Sequence, residues 1–193
     1  MQLINEWKPS ACLRLMGFFL GLGLVFACSE PVEETSKLDK VVGPKTFFDL
    51  KGFIVSESDY LSESNAVLEK EISFKGKKER KTIEQVEWKK ELSIFANSDI
   101  NKAAWLDKYV VDSTANFVHY KTASPKIKTQ SLKVFFDGNK AITKVEIENS
   151  TGNGLYDSSE WLEYDKVGKR YSIRRNQKVV FGDFEEIVIL GEF

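Results

Sequence analysis

The sequence predicts an α+β fold: two N-terminal helices and a hairpin packed on a curved antiparallel β-sheet that runs as a meander. Three observations carry this expectation. Apolar residues early in the domain recur at helical spacing. From about residue 107 onward they alternate at strand spacing. Turn residues then separate the apolar runs closely enough for consecutive strands to pair.

Thr46-Phe47-Phe48-Asp49 has capping-box spacing, and Phe47, Leu50, Ile54 and Leu61 follow on one face. Together they predict a helix over 47–62. Over 67–83 the period changes. Leu68, Ile72 and Phe74 share a parity, and Lys75-Gly76-Lys77 offers a turn, so this stretch reads as a hairpin with a basic tip. Thr82 and Gln85 repeat the capping-box spacing. Trp88, Leu92 and Phe95 line one face of a second helix that ends near residue 96, and Ser98-Asp99-Ile100-Asn101 reads as a cap or turn.

Tyr109-Val110-Val111 and Phe117-Val118-His119-Tyr120 read as strands, the second stopped by Pro125. Residues 127–136 form another, and Asp137-Gly138 suits a tight turn into 141–148. There Ala141, Val145 and Ile147 lie on one face and Lys144, Glu146 and Glu148 on the other. One buried and one wet face means an antiparallel sheet. Thr151-Gly152-Asn153-Gly154 reads as a loop. Leu155-Tyr156, Trp161 to Tyr164, Tyr171-Ser172-Ile173 and Ile187 to Leu190 complete the meander.

Composition bounds the function. At 42% hydrophobic and 30% charged, the chain is globular and not disordered. A formal net charge of −1 offers no bulk attraction to nucleic acid, so no such partner is expected. Residues 1–27 read as an export signal. Lys8 and Arg14 make it positive, and Leu15 to Ala27 is thirteen residues without a charge. That length suits a signal peptide and falls short of the about 20 residues of a membrane span. Cys12 lies in this leader, which leaves Cys28 as the one cysteine beyond it. An internal disulfide and a four-cysteine zinc site are thereby excluded. Residues 28–44 are polar and acidic and read as a tether, and residues 45–193 as a single α+β domain.

Val25-Phe26-Ala27-Cys28 resembles the lipobox of bacterial lipoproteins, with Phe26 departing from the small residue usual at its position. The resemblance implies a diacylglycerol on the Cys28 sulfur, cleavage between Ala27 and Cys28, and acylation of the new amine by a chain such as palmitate. Ser29, in place of Asp, implies passage to the outer membrane, periplasmic or surface-facing. Glu30, Glu33 and Glu34 are similar to acidic surface-export tags and equally suit a solvated tether. Beyond the leader, Phe48-Asp49-Leu50, the Trp88-to-Asn101 stretch, and Asn153 with Tyr156 ahead of Tyr171 and Gln177 resemble outer-membrane lipoproteins of Bacteroidota whose function is unassigned. That resemblance implies no activity.

Catalytic chemistry is hard to find. His119 is the sole histidine, no G-x-S-x-G elbow accompanies it, and it reads as a strand residue satisfied by a hydrogen bond. Glu146 with Glu148, and Glu185 with Glu186, are acids of ordinary strand surfaces, although a carboxylate pair would suit glycoside hydrolysis. Asp137-Gly138-Asn139 lacks the rest of a calcium loop, and Gly152-x-Gly154 lacks the context of a dinucleotide site. No catalytic, cofactor or metal residue is expected. The basic run from Lys75 to Lys81 could meet anionic headgroups, or simply keep a hairpin tip soluble. Lys169, Arg170, Arg174 and Arg175 cluster near Tyr171, but alternation puts Arg174 opposite to it. Aromatics from Trp105 to Tyr171 accompany the strands and could form a core or line a site for an apolar ligand or a glycan.

The sequence therefore predicts a lipid-anchored envelope protein, a non-enzymatic binding or accessory protein whose partner is an apolar ligand, a glycan or an envelope protein. The alternatives are a carboxylate-dependent surface hydrolase and a structural subunit of an outer-membrane complex.

Overall fold

A computed structural model describes residues 46–153, 155–180, 182 and 184–193. Ala27 and Cys28, with the whole leader and tether, lie outside the described residues.

The chain begins with helix α1, Leu50–Glu63. Its cap is Asp49 and not Thr46: the Asp49 carboxylate accepts from the Gly52 amide at 2.8 Å. Thr46 is displaced from that role because the next two residues are held outside the helix. Asn101 accepts from the Phe47 amide at 2.9 Å and donates to the Phe48 carbonyl at 2.8 Å. Leu50, Ile54 and Leu61 are buried along one face, as their spacing predicts.

Strands β1 (Leu68–Phe74) and β2 (Lys77–Ile83) form the expected hairpin. The predicted second helix is corrected in two ways. Thr82 and Ile83 stay in β2, because Ile83 pairs with Leu68 and Thr82 donates to Glu69 across the ladder. Two single turns then replace one continuous helix, α2 (Trp88–Glu91) and α3 (Ser93–Ala96), separated at Leu92. The Ser93 hydroxyl bonds the Lys90 carbonyl at 2.7 Å, a local bond that competes with a continuous helix. Trp88, Leu92 and Phe95 are nonetheless all buried. The helices are thus not all N-terminal, since α2 and α3 lie between the hairpin and the remaining strands.

Those strands are β3 (Val110–Ser113), β4 (Phe117–Lys121), β5 (Thr129–Phe136), β6 (Ile142–Asn153), β7 (Tyr156–Asp165), β8 (Arg170–Val179) and β9 (Glu185–Glu192). Residues 151–153, read as loop, instead extend β6, because each keeps a partner on β7. The seven strands pair consecutively and antiparallel, and β9 then pairs with β1. The hairpin is therefore part of the sheet and not packed upon it. The order is β2-β1-β9-β8-β7-β6-β5-β4-β3, which puts β7 at the centre.

One face of this sheet meets the helices. Leu132, Val134, Val145, Ile147, Leu162, Tyr164, Tyr171 and Ile173 are buried there with Leu50, Ile54, Trp88 and Phe95. Each such side chain contributes about 1.5–3 kcal/mol on burial. Gly191 on β9 faces the Tyr171 ring so closely that a Cβ would lie 2.2 Å from it. No helix among the described residues is long and apolar enough to cross a membrane.

Candidate binding face

Among the described residues, no helix packs on the opposite face of the sheet. Strand alternation sends every second residue of β4 to β9 there, and register aligns them in rows. One row runs His119, Lys133, Glu146, Glu163, Ser172 and Leu190. The next runs Ser131, Glu148, Trp161, Arg174 and Val188. These residues line one depression of about 470 Å³, within the size range of small-molecule sites.

Trp161 stands at its middle, on the central strand, and is 43% exposed. Leu190 on β9 is equally exposed, and Val188 on the same strand lies beyond Arg174, which separates it from Trp161. The remaining walls are polar. Lys144 places its ammonium 2.6 Å from Glu146 and 3.9 Å from Glu163, so one cation serves two carboxylates on facing strands. The Glu146 hydrogen bond holds the Lys144 ammonium above its usual value. Lys133 lies over the Phe117 ring at 4.3 Å and the Phe135 ring at 4.8 Å, which fixes the far wall by cation–π attraction.

His119 Nε2 is 2.9 Å from the Ser131 hydroxyl. Partial burial, reinforced by Lys121 and Lys133, lowers the imidazole pKa, against the pull of Glu148 and Asp112. Asp112 faces His119 across the β3–β4 ladder, so serine, histidine and aspartate do meet. Among the described residues, however, no hydrogen bond ties Asp112 to the ring. The surrounding backbone amides belong to strand ladders. The triad's orienting bond and its oxyanion donors are thus missing, and the expected reading of a hydrogen-bonded strand histidine stands. Among the described residues no group of three His, Cys, Asp or Glu side chains could hold a metal ion.

The other charged clusters are tied up internally. Lys78 and Arg80 reach Glu71 at 3.0 and 3.5 Å, Lys81 reaches Glu79 at 2.8 Å, and Lys75 reaches Glu185 at 2.7 Å. The basic hairpin tip is therefore largely neutralised by its own sheet. Arg170 pairs with Asp165, Arg174 leans toward Glu186, and Arg175 turns to the helix side. There Arg175 binds Glu160 at 2.8 Å, and Lys128 and Asn149 bind the same carboxylate at 3.3 and 3.1 Å. Burial pushes Glu160 upward, but these three partners outweigh it and hold its pKa below the usual value. This cluster joins β6, β7 and β8 to Ser98, which accepts from Asn149 at 2.9 Å.

The aromatics divide by parity. Tyr109, Tyr164 and Tyr171 belong to the core, while Phe117, Phe135 and Trp161 belong to the open face. Comparison with protein-family models, with curated proteins and with solved structures finds no match to this chain.

Proposed function

We propose that this chain is a lipid-anchored protein of the cell envelope, held at the outer membrane through Cys28, that binds a ligand on the open face of its sheet and does not transform it. A resemblance to Bacteroidota outer-membrane lipoproteins is part of the proposal. The observation that carries the binding role is Trp161: a large indole, 43% exposed at the centre of the sheet, with the charged Glu148 and Arg174 on either side. Isolated surface apolar residues are ordinary, but an exposed tryptophan on the floor of a 470 Å³ depression is a usual sign of a partner.

Fractionation of cells that make Cys28→Ala tests the anchor. The wild type should pellet with membranes and incorporate a labelled fatty acid. The variant should incorporate none and leave the membrane fraction. Retention of unlabelled Cys28→Ala at the membrane would overturn the anchor.

One observation favours the second reading, a surface hydrolase. Glu146 and Glu163 face each other in the same depression. Against it, both engage one lysine, whereas glycoside hydrolysis needs one carboxyl kept protonated as an acid. Turnover of a glycan by the wild type that vanishes in both Glu146→Gln and Glu163→Gln would establish it.

A further inference from the structure

We propose that the ligand of this face is a neutral saccharide, with one pyranose ring stacked on Trp161. The inference deepens the binding role proposed above and depends on it. Chemical complementarity carries it. A pyranose is amphipathic: one face presents C–H groups and the rim presents hydroxyls. The depression has the same division. Its apolar part is the Trp161 indole on β7, with Val188 and Leu190 on β9 beyond Arg174 and Ser172 of β8. Hydrogen-bonding groups flank the indole on both sides.

Register places Glu148 and Arg174 directly opposite Trp161 on the two neighbouring strands. A ring lying on the indole would have a carboxylate on one edge and a guanidinium on the other. The carboxylate accepts from sugar hydroxyls, and the guanidinium donates to ring or hydroxyl oxygens. Glu163 and Ser172 extend the same polarity one row further.

Other ligand classes fit less well. An acyl chain needs walls that are apolar throughout, and here Glu146, Glu148, Glu163, Lys133 and Arg174 all line the depression. An anion would meet Glu146, Glu148 and Glu163, and the nearby cations are already engaged: Lys144 with Glu146 and Glu163, Arg174 with Glu186, and Lys133 with the Phe117 and Phe135 rings. The Lys144 bridge between Glu146 and Glu163 holds the side wall in place before the ligand arrives, which lowers the ordering cost of binding.

The test uses the full chain in phosphocholine micelles, which carry no sugar. The probes are immobilised neutral oligosaccharides of glucose, galactose, mannose, xylose and N-acetylglucosamine, with heparin and palmitate beside them. At least one neutral glycan should bind. Trp161→Ala should weaken that binding roughly tenfold, and Trp161→Phe should weaken it less. The melting temperature should hold in both variants, because Trp161 lies outside the core. No binding to any neutral glycan, stronger binding to heparin or palmitate, or a glycan affinity indifferent to Trp161→Ala would each overturn the proposal. The anchor can fail separately, because Cys28→Ala fractionation reads it without a ligand. Saturable binding of palmitate or heparin on this face would leave the binding role standing while removing the saccharide.

Discussion

The Tyr164 hydroxyl donates to the Glu57 carboxylate at 3.1 Å, a bond that spans 107 residues and ties the central strand to α1. Lys166 completes the arrangement at 2.6 Å from the other carboxylate oxygen. Both Glu57 and Tyr164 are buried. Tyr164→Phe removes a hydrogen bond to a charged acceptor and should cost about 1.5–3 kcal/mol in urea denaturation. Adding Lys166→Ala leaves a buried carboxylate with neither partner. The double variant should therefore lose more than the two single losses combined, and simple additivity would refute the linkage.

Gly191 opposes Tyr171, whose hydroxyl donates to Glu91 on α2. A methyl group at residue 191 would sit 2.2 Å from the aromatic ring. Gly191→Ala should destabilise by about 1–3 kcal/mol, the usual range for overpacking. Tyr171→Leu in the Gly191→Ala background should restore part of that loss, because a shorter side chain vacates the space. Thermal melts of the four proteins decide this, and an innocuous Gly191→Ala would show that β9 stands further from β8.

His119 gives a clean pH reporter because the chain has one histidine. Its NMR titration midpoint should fall below the ordinary value of 6.5, through burial first and then through Lys121 and Lys133. Lys133→Ala should raise the midpoint, and Glu148→Gln should lower it further. The folded chain favours the neutral ring. The stability contributed by that preference is therefore full above the unfolded value of 6.5 and is lost as pH falls through the lower folded value. A midpoint above 6.5 would reverse the sign.

Much of the fold was legible because local patterns and tertiary burial agree. Leu50, Ile54 and Leu61 share one helical face in both sequence and structure. Leu162 and Tyr164 share a strand parity that excludes Trp161, so the alternation alone already sends the indole away from the core. The break between α2 and α3 was hidden, because Trp88, Leu92 and Phe95 keep their burial whether the helix is continuous or not. The site was not legible as a site. Its rows depend on register: the facing of Glu146 with Glu163 exists only once β6 and β7 have paired, and the hydrogen bond of His119 with Ser131 only once β4 and β5 have. The junction of β1 with β9 was equally invisible, because nothing local to residues 68–74 specifies a partner at 187–192.

That junction has a kinetic consequence. The hairpin is made early in the chain, yet among the described residues the strand it joins in the sheet is β9. During synthesis or translocation, from one end to the other, β1 must wait with an unpaired edge while β3 to β8 assemble by local closures. Long-range pairing of this kind is slow, and open edges are prone to wrong pairing meanwhile. The dense charges of β2 and its tip, already paired to Glu71 and Glu79, then have a task before the native state exists. They lie along β2, the hairpin's outer edge, where charge discourages pairing with a wrong strand.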